Sequence, residues 1–171
     1  MSPRVIILLS VLMSCVATPS PAEEAAFRFA GVEFFQRGDE AGIREFLPAG
    51  ETFAHWNRLI SLRHFPKLQD PRAYALKVVA AAEASDPAAK GQVFKNDDDD
   101  VYVADFLAFS PRDKEPQFAE WNLWRITKKD GGLEALQYAR RFYDFSEESV
   151  AEIKASRNRL IKELGDFVMA P

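Results

Sequence analysis

The sequence predicts an α+β domain: a mostly antiparallel sheet of about six to seven strands flanked by two main helices. Three observations carry that expectation. Apolar-alternating runs are separated by short turns rich in Gly, Asp and Pro. Two segments carry helix-start signals. The chain of 171 residues holds 14 Phe, 4 Tyr and 3 Trp, enough large side chains for one core.

The amino terminus comes first. Arg4 precedes the apolar run Val5 to Met13, which is shorter than the ~20 residues a spanning helix needs. A charged start, a short apolar centre and small residues afterwards describe a secretory signal. Two cleavage sites fit a general signal peptidase, after Ala17 (C-V-A) and after Ala22 (S-P-A). The stretch Leu12-Met13-Ser14-Cys15 resembles a bacterial lipobox, with Met13 where a small residue is usual; it implies cleavage after residue 14 and acylation of Cys15. The expected division is therefore 1–22 as signal peptide, or 1–14 as a lipoprotein signal, and 23–171 as one domain with a short tether. Localisation is expected to be periplasmic, or lipid-anchored in the envelope. Cys15 is the single cysteine, so the domain itself can form neither a disulfide nor a thiolate metal site.

The elements follow in order. VEFFQR, 32–37, reads as a strand, GDEAG as a turn with glycine at each end, and IREFL, 43–47, as the returning strand. GETFAHW, 50–56, is a bend. NRLISLRHF, 57–65, alternates, placing Trp56, Ile60 and Leu62 on one face and Leu59, Ser61 and Phe65 on the other. Asp70-Pro71 starts an alanine-rich helix through Glu83, because aspartate caps free N–H groups and proline suits the first helical position. GQVFKN, 91–96, and VYVADFLAF, 101–109, form a hairpin around Asp97–Asp100. FAEWNLWRIT, 118–127, and LEALQYARRFYDF, 133–145, are strands about a turn at Asp130-Gly131-Gly132. The second of these has helical propensity, but the turn before it and its aromatic content favour a strand. Ser146 caps the last helix. Val150, Ile153, Leu160, Ile161, Leu164 and Phe167 form its apolar stripe, and Lys154, Arg157, Lys162 and Glu163 mostly take the opposite face.

Composition and motifs exclude more than they assign. A net charge of −4 supplies no electrostatic footprint for nucleic acid. No G-x-S-x-G, G-x-x-x-x-G-K-[ST] or G-x-G-x-x-G occurs, and no cofactor is expected. His55 and His64 are nine apart, which sends them to opposite faces of a strand and speaks against zinc. Asp97, Asp98, Asp99 and Asp100 form a weak candidate for calcium. The EF-hand pattern fails, since the twelfth residue from Asp97 is Ala108 where glutamate is needed, and a solvated hairpin loop accounts for the run.

Polar residues inside apolar strands are subtler. Asp105 alternates with Val101, Val103, Leu107 and Phe109, so on a buried face it needs a partner. Arg125, Arg141 and Arg63 are the strand residues expected to supply one, as a structural ion pair or as a ligand-lining cluster. Trp121 and Trp124, three apart, point to opposite faces.

Pro48, Gly50-Glu51-Thr52, Trp56 and Leu59, with EWNLWR (120–125) and QYARR (137–141), resemble segments of uncharacterised exported bacterial proteins. The order of elements is similar to the PsbP-like fold of photosystem accessory proteins, a nuclear-import cofactor and bacterial lipoproteins. That resemblance implies a non-enzymatic binding or accessory module, with an envelope protein or small ligand as partner. A small periplasmic hydrolase using Asp or Glu, and a weak calcium-binding protein, are the alternatives. The first predicts one carboxylate essential for turnover, the second a melting temperature that responds to chelator.

Overall fold

The computed structural model describes residues 26–96, 100–110 and 116–168. The segment expected to be a signal, Cys15 and Asp97 to Asp99 lie outside them. The element order is β1 (Phe27–Phe29), β2 (Val32–Glu40), β3 (Ile43–Leu47), β4 (Arg58–Phe65), α1 (Pro71–Ser85), β5 (Lys90–Lys95), β6 (Tyr102–Phe109), β7 (Ala119–Lys129), β8 (Gly132–Phe142) and α2 (Glu147–Asp166). All pairings are antiparallel, in one 8-stranded sheet of order β1-β2-β3-β4-β8-β7-β6-β5.

The expected six to seven strands become eight because β1 is present. This strand is only three residues long, too short to show a period. Its turn, however, follows a rule used three times in the chain. Ala30-Gly31, Ala41-Gly42 and Asp130-Gly131 each form a two-residue hairpin loop with φ positive at both positions, from 47° to 78°. Such loops match the right-handed twist of the paired strands and need glycine at the second place. The first turn therefore closes β1–β2. The second corrects the expected GDEAG turn: β2 continues to Glu40, and Gly38 sits at a register shift inside the strand.

The helices pack on opposite faces. Asp70 Oδ1 accepts from Ala73 N at 2.9 Å to start α1. Its buried residues Pro71, Ala75, Val79 and Ala82 recur every three or four positions. They rest on Ala104, Phe106, Trp124, Ile126, Leu133 and Ala135. The contact is close because Gly91 lies beneath Val79, where a Cβ would stand 2.5 Å from Val79 Cγ1. α1 contacts β5, β6 and β7.

On the other face α2 lays Leu160 and Leu164 over Val103, Trp121, Leu123, Leu136 and Tyr138. β1 and β2 complete this side with Phe29 and Phe34, 1% and 0% exposed. Phe167 packs edge-on against Phe27 and Phe29 with ring centroids 5.5 Å apart in both pairs. Trp121 and Trp124 fall on opposite faces as alternation requires. Trp56 departs from its expected face: it clusters with Leu47, Leu59 and Ala139, away from Ile60, because the chain bends before β4 begins. No helix among the described residues is long and apolar enough to cross a membrane.

Candidate functional site

The α1 face of the sheet is only partly covered. α1 packs mainly on β5, β6 and β7 and touches β8 and β4 only at Leu133, Ala135 and Phe65, while the rest of β8, β4 and β3 continues beyond it. The step at its flank forms a cleft of about 380 Å³. Val78, Ala81, Ala82 and Ser85 make the helix wall, and Phe106, Ala108, Trp124, Glu120, Asn122 and Gln137 the floor.

The floor is polar in a buried place, and a continuous hydrogen-bond chain satisfies it. Ser61 Oγ on β4 donates to Gln137 Oε1 on β8 at 3.2 Å, and Gln137 Nε2 donates to Asn122 Oδ1 on β7 at 2.7 Å. Asn122 Nδ2 donates to Glu120 Oε1 at 3.1 Å. Glu120 Oε2 accepts from Arg141 Nε at 2.8 Å. Ser61, Asn122 and Gln137 are 1%, 3% and 9% exposed, which is tolerable because their partners replace water. Arg141 ends the chain between two rings, with its guanidinium carbon 3.9 Å from the Trp56 ring centroid and 4.1 Å from that of Phe118. At the same corner the Tyr143 hydroxyl oxygen accepts from Trp56 N at 3.3 Å, and its ring stacks on His55 with centroids 4.4 Å apart.

Two residues beyond Ser61 on the same face stands Arg63. Its guanidinium carbon lies 5.1 Å from the ring centroid of Trp124. Arg63 Nε and Trp124 Nε1 are both buried and, among the described residues, have no hydrogen-bond partner. Tyr74 of α1 packs on Phe65, with ring centroids 4.8 Å apart. Burial raises its phenol above the ordinary value, and the positive charge of Arg63 opposes the rise.

The four residues expected to gather do not meet. Asp105 is buried at 5% exposure and is paired, but its partner is Arg157 of α2. Asp105 Oδ2 accepts from Arg157 Nε at 2.5 Å, and Oδ1 accepts from Trp121 Nε1 at 2.7 Å. Arg157, expected on the opposite face, lies within the apolar stripe between Ile153 and Leu160, and its side chain passes over Phe94 to the sheet. Arg125 shares this face but donates to Gly165 O at 3.2 Å and lies 3.9 Å from Glu134. Burial lowers the Arg125 pKa, and Glu134 opposes the shift. Arg63 and Arg141 are on the α1 face. Odd and even positions on paired strands separate the two sets.

The other expected features resolve simply. Asp100 pairs with Lys128 at 2.6 Å, and that hydrogen bond lowers its pKa. Among the described residues no group of His, Cys, Asp or Glu is arranged to hold a metal. Glu51, in the G-E-T…W segment, has an architectural role: its Oε2 accepts from Asn57 N at 2.8 Å and Arg58 N at 3.0 Å, fixing the entry to β4. Ser61, Gln137, Asn122 and Glu120 went unmarked at the level of sequence. Their signal was the one that marked Asp105, single polar residues within LISL, WNLW and ALQYA.

A comparison with curated proteins returned no match. Among solved structures the chain is similar to the one described as the crystal structure of human STARD10, at 7% identity and a TM-score of 0.43, covering 77% of this chain and 71% of that one. A family model matches residues 25–169, and the chain belongs to that uncharacterised family.

Proposed function

We propose that the protein is an exported, non-enzymatic binding module and that the groove beside α1 holds a small ligand with an apolar body. The observation that carries this reading is a partly open cleft with apolar walls and a preorganised polar floor, the usual composition of a small-molecule site. The one carboxylate among its lining residues, Glu120, spends both oxygens on Asn122 and Arg141. A hydrolase would need such a group free to reach a substrate or water.

An uncharged solvatochromic dye tests the reading. Its fluorescence should rise on the wild-type protein and stay at background on Ala81→Trp, since Ala81 is exposed at the groove wall and the indole would fill it without entering the core. Dye binding that survives Ala81→Trp would reject the groove. Export is tested by the intact mass of the mature protein: a chain starting at an acylated Cys15, or at Thr18 or Glu23, supports it, and an uncleaved chain refutes it.

A further inference from the structure

We propose that two copies of this chain pair through the open edge of β5, about a two-fold axis at Val93 that also brings their α1 helices side by side. β5 ends the sheet, so among the described residues no strand runs along its outer side. Asn96 N donates inward to Val101 O at 3.0 Å, whereas Gly91 N points outward and donates to Glu83 Oε1 of α1 at 3.2 Å. Successive residues of an antiparallel strand turn their N–H and C=O to opposite sides. Gly91, Val93 and Lys95 therefore present their backbone groups to the open side.

The helix above this edge supplies a second observation. Glu83 reaches Gly91 from the edge side of α1. Ala80 and Leu76 precede Glu83 at helical spacing and share that side, while Val78, Ala81 and Ser85 form the groove wall on the other. Leu76 is apolar yet 48% exposed. Gly91 lies under Val79, and β5 runs back beneath α1. Two strand residues cover ~7 Å, which is roughly four to five helical residues, so Val93 stands at the level of Leu76.

A two-fold axis at Val93 turns this edge onto itself. Val93 pairs with its own copy, and Gly91 pairs with Lys95 of the other chain. Lys95 is exposed and shares the α1 face with Gly91, so it comes beside Glu83 of the other copy. Glu83 then exchanges the Gly91 N–H for an ammonium, and that N–H passes to the facing Lys95 carbonyl. The two Leu76 side chains meet across the axis. Lys90 and Lys95 guard the edge against indiscriminate pairing, but in this register Lys95 gains a countercharge. The contact is isologous, so it closes as a dimer and leaves the groove beyond α1 open.

Sedimentation velocity of the purified protein over a concentration series tests the inference. The wild type should shift from one chain to two as concentration rises. Leu76→Lys places like charges at the axis, and Glu83→Lys sets a lysine against Lys95 of the other copy. Each should weaken the dimer at least about tenfold. Both positions are exposed, so the melting temperature of each variant should stay close to that of the wild type. Adding Lys95→Glu to Glu83→Lys exchanges the two charges and should restore most of the affinity. A monomer at every concentration, a dimer that neither single substitution weakens, or a charge exchange that restores nothing would each overturn the inference.

Discussion

Removing the carboxylate of Asp105 should be among the most damaging single changes in the domain. Asp105→Ala deprives Trp121 Nε1 of its acceptor, and Trp121 is 1% exposed, so water cannot replace it. An unsatisfied buried donor costs about 1–3 kcal/mol. The same change removes a charge-assisted bond from Arg157, nominally worth about 1.5–3 kcal/mol. The Arg157 side chain is 30% exposed and can turn to solvent, so the lower part of that range applies. The sum is about 3–4 kcal/mol, a large share of the ~5–15 kcal/mol that stabilises a typical domain. For a chain of this size that lowers Tm by roughly 10 °C. Arg157→Ala should cost less, about 2 kcal/mol, because Asp105 keeps the indole N–H. Urea denaturation of both variants and of the double variant gives the coupling directly, and about 1–2 kcal/mol is expected. A coupling near zero, or an Asp105→Ala cost below about 1 kcal/mol, would refute the claim that this trio ties α2 to the sheet.

Gly91→Ala should destabilise by about 1–3 kcal/mol through overpacking, since its Cβ would lie 2.5 Å from Val79 Cγ1. Adding Val79→Ala should recover part of the loss, and a double variant no better than the sum of the two singles would contradict this account. The alkaline limb of stability should depend on Tyr138, whose pKa burial raises above 10.0 while Arg58 and Arg140 pull it down. A raised folded pKa means that the stabilisation from the neutral phenol is complete below the unfolded value and lost as pH rises through the folded one. Between pH 9 and 11 the Tm of the wild type should therefore fall more steeply than that of Tyr138→Phe, and parallel curves would disprove the assignment.

What could be read from the sequence was what local physics determines. Asp70-Pro71 and Ser146 start helices because capping and proline geometry act within one turn. The strand expected at 133–145 was separable from a helix because Asp130-Gly131 demanded a hairpin, but it ends at Phe142, before Tyr143 to Phe145. Three things were not local. Trp56 escaped alternation because the bend held by Glu51 ends the strand's period before residue 58. Arg157 was assigned to the polar face by residue type, although its spacing from Ile153, Leu160 and Leu164 aims it at the sheet, where it meets Asp105. The groove floor joins Ser61 to Gln137, 76 residues away, and no spacing rule connects residues on strands whose pairing is decided by the whole sheet. Single polar positions in apolar strands were visible throughout, but the partner of each was not.

Every pairing but one joins strands consecutive in the chain. The exception is the ladder between β4 and β8, which seams a meander of β1 to β4 to a second of β5 to β8. Each meander can form from nearby hairpins, while the seam must close a loop of roughly 75 residues, at an entropic cost of about 4 kcal/mol beyond a constant. The groove's walls and floor come from α1, β6, β7 and β8, while Ser61 of the first half reaches the floor only through Gln137, so the Ser61–Gln137 bond forms when the seam closes. A chain emerging during synthesis acquires its binding surface only when β8 arrives, at the end of assembly. The polar floor is thus anchored from across the joint, and parting the halves leaves Gln137 without its Ser61 donor.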